Sequence, residues 1–321
     1  MASSYSPSQS AATLSAIAYL GQYEFNSWRF ATMNKAMSGT LGGSWSIVWG
    51  PATAGQDLAY VAYDGDSTYA VVVRGTLVTR VEDLLQDKTI GTQVALPFSA
   101  PSFPNAQISQ GAAEVWTNIN SMDSSVPGSG AGGLLAFLQG LSGSPTVLVT
   151  GHSLGGQTAS VLAAWFASTL SGATVVPITV AAPTAGNAAF ASAYDSVFAS
   201  SAQRLFNTLD VVPMLWTVAG LDTLLTLYSG GPQCGPTCSA AVNSALNTLQ
   251  KGGVTYVQPS ASTSLTGSLY SESGILAFED EVLAQHSALY YMSLLGIPTS
   301  TIQVLNEDWA PPSTAAVRSV A

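Results

Sequence analysis

A glycine-rich pentad between a strand-like run and a helix-like run constrains this chain more than any other segment. Residues 146–150 (TVLVT) are typical of a buried β-strand, and residues 156–170, rich in alanine and leucine, predict an α-helix. Residues 151–155 between them read GHSLG. A tight turn here would strain the serine backbone and expose its hydroxyl above a sheet, as a nucleophile requires. The pattern therefore predicts that Ser153 is catalytic, and the alternative is an ordinary glycine-rich loop.

The charge and hydropathy of the chain restrict its partners. It carries 18 acidic and 8 basic residues, for a net charge of −10. This charge disfavours electrostatic binding to nucleic acid or to an anionic membrane. No apolar run reaches the roughly 18 to 20 residues that a transmembrane helix needs. Residues 1–10 hold no basic side chain, so the apolar run at 11–20 is a poor signal peptide. We expect a secreted protein, mature or exported without a leader, with cytoplasmic retention as the alternative.

The two cysteines, Cys234 and Cys238, lie in a loop rich in glycine and proline. Two thiols without a cluster of histidines or acids cannot form a structural zinc site. The spacing predicts a local disulfide, and free thiols are the alternative. We predict neither a metal nor an organic cofactor.

Strand-like and helix-like runs alternate from about residue 110 onward. This order predicts an α/β protein with a central, mostly parallel sheet flanked by helices on both faces. The runs at 44–49, 58–63 and 68–75 predict earlier strands that look antiparallel. The Ser/Thr-rich run at 260–272 predicts a loop. The length fits a single domain over residues 1–321.

A catalytic serine needs a base, and this chain has only two histidines. His152 precedes Ser153 on the turn, which aims the histidine side chain away from the hydroxyl. His286 is therefore the predicted general base, and the alternative is a structural histidine at the start of a helix.

The base needs an acid to orient it, and in this kind of fold the acid lies between the serine and the histidine along the chain. Asp210 follows the predicted strand at 204–209, which places it at the carboxyl edge of the sheet. The alternative is an aspartate that merely starts a turn. We expect the acids at 279–281 to lie on a solvated helix face and Asp195 to lie on the surface.

The remaining requirement is a pair of donors for the oxyanion. The backbone N–H of Leu154, directly after the nucleophile, is one predicted donor. Thr76, at the end of the strand-like run at 70–75, is a candidate for the second donor.

Together these segments resemble the class 3 lipases, a family that includes fungal triacylglycerol lipases and feruloyl esterases. The matching blocks are residues 70–76 (AVVVRGT), 149–156 (VTGHSLGG), 182–190 (APTAGNAAF), 207–213 (NTLDVVP), and His286 with Tyr290.

The resemblance implies an α/β-hydrolase fold and the hydrolysis of carboxylic esters of lipids, with triacylglycerol as the leading substrate and a lipid–water interface as the partner. It implies that Thr76 supplies the second oxyanion donor and that Arg74 is structural. An esterase or phospholipase acting on soluble, phospholipid or aromatic-acid esters is the alternative. A lipid-binding protein without catalytic activity is a remote alternative.

Family members carry a lid after the oxyanion turn, and we assign residues 77–90 to it. Its apolar residues fall on one arc of a helix roughly 120° wide. They are Leu77, Val78, Val81, Leu84 and Leu85. The alternative is an ordinary surface helix packed on the core.

The apolar segment after Asp210 is longer than the compact members of the family need. We interpret residues 214–270 as an inserted cap or acyl-binding wall. A partner interface and additional core are equally compatible with the sequence.

Overall fold

The computed structural model describes residues 5–21, 25–76, 88–270 and 278–312. Within these ranges the strands are β1 (Ser46–Ala54), β2 (Asp57–Tyr63), β3 (Thr68–Val73), β4 (Gln93–Ala95), β5 (Gln107–Ser109), β6 (Asp123–Ser124), β7 (Gly132–Gly133), β8 (Thr146–His152), β9 (Thr174–Val180), β10 (Gln203–Asn207) and β11 (Ser262–Leu265). Seven of them form the central sheet in the order β1-β2-β3-β8-β9-β10-β11.

The central sheet is mostly parallel, as predicted. The pairs β1/β2 and β2/β3 are antiparallel, whereas every pair from β3/β8 to β10/β11 is parallel. The parallel strands therefore end at one common edge. We call it the carboxyl edge, and the opposite edge the amino edge.

Helices cover both faces of this sheet. They are α1 (Pro7–Ile17), α2 (Asn26–Leu41), α3 (Gln110–Asn120), α4 (Leu134–Gln139), α5 (Leu154–Thr169), α6 (Ala188–Phe198), α7 (Val218–Leu224), α8 (Pro236–Gly252), α9 (Phe278–Gln285), α10 (Ala288–Leu294) and α11 (Thr299–Ile302). Single 3₁₀ turns span Lys88–Gly91 and Val212–Met214.

Alternation along β8 divides the core between the two faces. Val147 and Val149 pack in one cluster with α5, whereas Leu148 packs in the other cluster with Leu14 and Ile17 of α1. Because neighbouring side chains of a strand point to opposite faces, both faces of the sheet are apolar and both need a helical cover.

The strand β11 corrects the predicted loop at 260–272. Residues 262–265 pair in parallel with β10, with Arg204 opposite Ser262 and Asn207 opposite Leu265. Three of the four β11 residues are exposed, because β11 lies at the sheet edge. Their polar side chains carry no hydrophobic alternation, so the usual sequence signal for a strand is missing.

The segment at 214–270 builds a third apolar cluster and also supplies the edge strand β11. Its buried members include Leu215, Trp216 and Leu221, packed with Val242 of α8. A disulfide joins Cys234 and Cys238 at the start of α8.

A second correction concerns Glu281. We expected a solvated face, but its side chain is buried in α9. Its Oε1 atom accepts hydrogen bonds from the Tyr270 backbone N–H (3.0 Å) and from Gln285 Nε2 (2.7 Å). These donors replace the water that a buried carboxylate loses.

Among the helices of the described ranges, none combines the length and the apolar character that crossing a bilayer requires.

Candidate active site

Ser153 occupies the sharp turn between β8 and α5. Its backbone has φ 62° and ψ −134°, a conformation that costs a non-glycine residue free energy and is typical of functional turns. The side chain is 1% exposed, and its Oγ atom has no hydrogen-bond partner. The turn therefore holds an unpartnered hydroxyl at the carboxyl edge of the sheet.

Two glycines allow the chain to close around this turn. A Cβ atom at Gly155 would collide with the Val73 carbonyl oxygen and would come within 2.7 Å of the Gly75 nitrogen. A Cβ atom at Gly75 would lie 2.5 Å from the His152 carbonyl oxygen. Only glycine at these positions lets the end of β3 approach the start of α5 so closely.

His286 lies in the short connection between α9 and α10, and it pairs with Asp210. His286 Nδ1 is 2.8 Å from Asp210 Oδ2. Asp210 is fully buried after β10, and its other oxygen, Oδ1, accepts from the Val212 N–H at 2.9 Å. The structure thus joins residues 76 positions apart at one edge of the sheet.

This pairing determines which histidine nitrogen can act as a base. A carboxylate only accepts hydrogen bonds, so His286 Nδ1 is the donor toward Asp210. The other ring nitrogen, Nε2, is buried without a partner. In the neutral imidazole this Nε2 is the acceptor, and His286 lines the same pocket as Ser153.

A pocket of about 380 Å³ opens beside the serine. Ser153, His286 and Thr76 line it together with mostly apolar side chains. The apolar members are Ala16, Leu20, Leu283, Ala288, Leu289 and Leu305. Such a pocket suits an apolar substrate with one reactive polar group.

Both predicted oxyanion residues lie next to the nucleophile. Leu154 is the first residue of α5, where backbone N–H groups have no partner inside the helix. Thr76 follows β3 and lines the serine pocket. Their role as oxyanion donors stays a prediction.

Tyr291 was missed by the sequence reasoning, although it completes the surroundings of Asp210. Its hydroxyl donates to Asp210 Oδ2 at 2.8 Å and accepts from the Asn207 backbone N–H at 2.8 Å. Tyr290, the residue singled out beforehand, instead accepts from the Ser268 N–H. The sequence signal that could have pointed to Tyr291 was its position, five residues after the predicted base His286.

Tyr19 was missed as well, and it connects three parts of the site. Its hydroxyl accepts from the Gly75 backbone N–H and lies 3.0 Å from His152 Nδ1. His152 Nε2 lies 2.7 Å from the His286 carbonyl oxygen. Because a carbonyl only accepts, Nε2 of neutral His152 is the donor and Nδ1 accepts from Tyr19. Hydrogen bonds therefore connect the turn after α1 to the end of β3, to the serine turn and, through His152, to the backbone of His286.

Burial keeps this chain of hydrogen bonds in one protonation state. Desolvation, and secondarily the neighbouring His286, hold the pKa of His152 well below its usual value. Burial raises the pKa of the Tyr19 hydroxyl above its usual value, so it stays a donor.

His152 should therefore make the protein less stable in mild acid. The unfolded chain binds a proton at His152 below about pH 6.5, whereas the folded chain does not, so stability falls as pH falls. When the pH falls from about 7.5 to about 5.5, the free energy of unfolding should fall in both proteins. We expect the fall to be about 1 kcal/mol smaller in His152→Asn than in wild type. Urea unfolding at both pH values measures this, and equal losses would contradict a depressed pKa.

The predicted lid falls mainly outside the described residues. Its five apolar positions, Leu77, Val78, Val81, Leu84 and Leu85, all lie there, and its end coincides with the 3₁₀ turn Lys88–Gly91. The lid stays a prediction. The part of the chain that the structure describes holds no group of three or more histidines, cysteines or acids that could bind a metal.

Comparison with known proteins gives a family and a fold. Residues 70–219 match the family model described as Lipase (class 3). The M37 lipase structure superposes with a TM-score of 0.83, at 24% identity, over 93% of this chain and 96% of that chain. A triacylglycerol lipase from Penicillium expansum gives a TM-score of 0.48, at 18% identity, over 81% of this chain and 78% of that chain. No curated protein sequence matches the chain.

The family match spans both the serine turn and Asp210, and the similarity in fold to M37 lipase extends beyond the matched residues. Over residues 70–219 the chain matches the class 3 lipases, and it is a carboxylic ester hydrolase with the α/β-hydrolase fold.

Proposed function

We propose that this protein is a triacylglycerol lipase that uses Ser153, His286 and Asp210 as a catalytic triad. The observation that carries the proposal is the 2.8 Å pair of His286 and Asp210. His286 has an unpartnered Nε2 and lines the same pocket as the strained, unpartnered serine. A histidine oriented by a buried carboxylate can activate the hydroxyl once its free nitrogen accepts a hydrogen bond from the serine.

The proposed reaction proceeds through an acyl-enzyme. Ser153 Oγ attacks the ester carbonyl carbon while His286 Nε2 takes the hydroxyl proton, and Asp210 stabilises the resulting imidazolium. The backbone N–H groups of Thr76 and Leu154 receive the negative charge on the carbonyl oxygen. His286 then gives its proton to the leaving alcohol. Water, deprotonated by His286, releases the carboxylic acid and restores the serine.

The lining of the pocket supports a lipid substrate. Its apolar side chains match an acyl chain, and apolar surface removed from water favours binding at roughly 25 cal/mol per Å². The local disulfide supports an oxidising compartment, in agreement with the expected secretion.

A chain-length series tests the substrate class. Purified protein would be assayed on p-nitrophenyl esters from acetate to palmitate and on emulsified triacylglycerol, with Ser153→Ala in parallel. We expect serine-dependent hydrolysis of the long esters and of the emulsion. Activity confined to short soluble esters would instead make the protein an esterase.

Tyr19 should position the site without taking part in the chemistry. Tyr19→Phe leaves the Gly75 N–H and His152 Nδ1 without a partner, and an unsatisfied buried group costs about 1 to 3 kcal/mol. We expect kcat on a soluble ester to fall roughly tenfold, with a smaller change in KM.

The matched control for this variant is Tyr60→Phe. Tyr60 is also buried, and its hydroxyl donates to the Leu14 carbonyl of α1 at 2.7 Å. The Tyr60→Phe substitution should lower the free energy of unfolding while leaving kcat unchanged. An equal fall of kcat in both variants would reduce Tyr19 to a general packing residue.

A further inference from the structure

Two large aromatic side chains stand in solvent at the beginning of α2. Phe25 is 85% exposed and Trp28 is 71% exposed, more than any other large apolar side chain of the described ranges. Phe25 directly precedes α2 and Trp28 lies in its first turn, so one short segment carries both exposed rings, which we call the patch. Isolated exposed apolar residues are common, but paired aromatic rings at this exposure indicate a contact surface.

The segment that carries the patch is hydrogen-bonded to a turn that lines the active-site pocket. The turn after α1 carries Tyr19 and Leu20, which line that pocket. Arg29, the residue after Trp28, donates from Nε to the Gly21 carbonyl oxygen at 2.9 Å. This bond ties the first turn of α2, which carries Trp28, to the turn that lines the pocket.

The size of the patch argues against a second protein as its occupant. A buried aromatic side chain contributes about 150 to 250 Å². Two such side chains fall short of the roughly 1,200 Å² or more that a stable protein interface buries. The patch is large enough to anchor the molecule on a lipid surface, because Trp and Phe rings insert individually at the boundary between lipid and water.

The charge of the molecule selects the kind of lipid. With a net charge of −10, the protein is repelled by anionic surfaces. We propose that Phe25 and Trp28 anchor this protein on a neutral or zwitterionic lipid–water interface and hold the mouth of the pocket against it. This inference rests on the proposed function, because it names the surface on which that substrate would be met.

Vesicle binding tests the anchor without requiring catalysis. In a Ser153→Ala background, flotation with phosphatidylcholine vesicles would compare the parent with Phe25→Ser/Trp28→Ser. We expect the partition coefficient of the double variant to fall roughly tenfold or more. Vesicles containing phosphatidylglycerol should bind the parent more weakly. Equal partition of parent and double variant would overturn the proposal.

Val197→Ser is the matched control. Val197 is exposed by 37% near the end of α6, and β10 begins six residues later at the amino edge, away from the pocket. Its substitution should leave vesicle binding unchanged. A loss of binding as large as that of the double variant would mean that exposed apolar area anywhere suffices, and this would also overturn the proposal.

Activity assays separate the anchor from the catalytic site. With Ser153 intact, Phe25→Ser/Trp28→Ser should keep its turnover of monomeric p-nitrophenyl butyrate and lose activity on emulsified triacylglycerol. An equal fall of turnover on the monomeric ester would mean that the two rings act in the catalytic pocket and not as an anchor. If Ser153 proves not to be catalytic, the vesicle comparison still tests whether Phe25 and Trp28 anchor the protein on lipid. A change from dimer to monomer in the double variant, with vesicle binding intact, would assign the patch to a second copy.

Discussion

Replacement of Ser153 by alanine is expected to lower kcat on a soluble ester by roughly 10⁴–10⁶-fold. The reason is that the variant lacks the only atom that could form the acyl-enzyme, while the pocket and the His286–Asp210 pair stay in place. Folding should be nearly unaffected, because Oγ makes no hydrogen bond in the folded protein. Steady-state kinetics on p-nitrophenyl butyrate, with urea unfolding of the same preparations, measures both quantities.

Ser160→Ala provides the matched control for this substitution. Ser160 is a buried serine of the same helix, α5, and its hydroxyl donates to the Gln157 carbonyl oxygen at 2.6 Å. The Ser160→Ala substitution should lower the free energy of unfolding slightly and leave kcat unchanged. Turnover close to wild type in pure Ser153→Ala protein would remove Ser153 from the mechanism.

Asp210→Asn is expected to lower kcat by about 10⁴-fold, the second largest effect. Both oxygens of Asp210 accept: Oδ1 from the Val212 N–H, and Oδ2 from His286 and Tyr291. An amide group must turn its NH₂ toward one of these donors. It also lacks the charge that stabilises the imidazolium, and it favours the tautomer in which Nε2 cannot accept a proton.

Glu281→Gln separates this effect from the general cost of changing a buried carboxylate. Glu281 is as buried as Asp210, but its Oε1 atom accepts only from Tyr270 and Gln285, outside the pocket. The kcat of the Glu281→Gln variant should stay within about threefold of wild type, because none of the groups proposed to take part in the reaction changes. Similar losses of kcat in the two variants would refute the orienting role of Asp210.

Local sequence was sufficient to select candidate site residues because each requirement left few candidates. The elbow needs small residues around a serine between a strand and a helix, and residues 146–170 meet this condition. The choice of His286 followed from elimination, since the other histidine adjoins the serine. The structure brings His286 to Asp210, and His286 lines the pocket of the serine.

Sequence reasoning failed where polar residues are satisfied by distant partners. The edge strand β11 carries serines and threonines that show no apolar alternation, so only its pairing with β10 reveals it. Glu281 resembles a solvated acid until the packing of α9 brings the Tyr270 N–H to it. In both cases hydrogen bonds made by tertiary contacts override a local preference.

The sequence by itself determined the α/β class, the strand-turn-helix around Ser153, and the candidates for the base and the acid, because these depend on residue type and on short-range order. Only the tertiary structure decided the support around them. Tyr19 reaches His152 across 133 residues, and His152 reaches the His286 carbonyl across 134. No local pattern encodes such contacts, since they arise only when packing of helices on both faces of the sheet brings distant polar groups together and burial obliges them to pair.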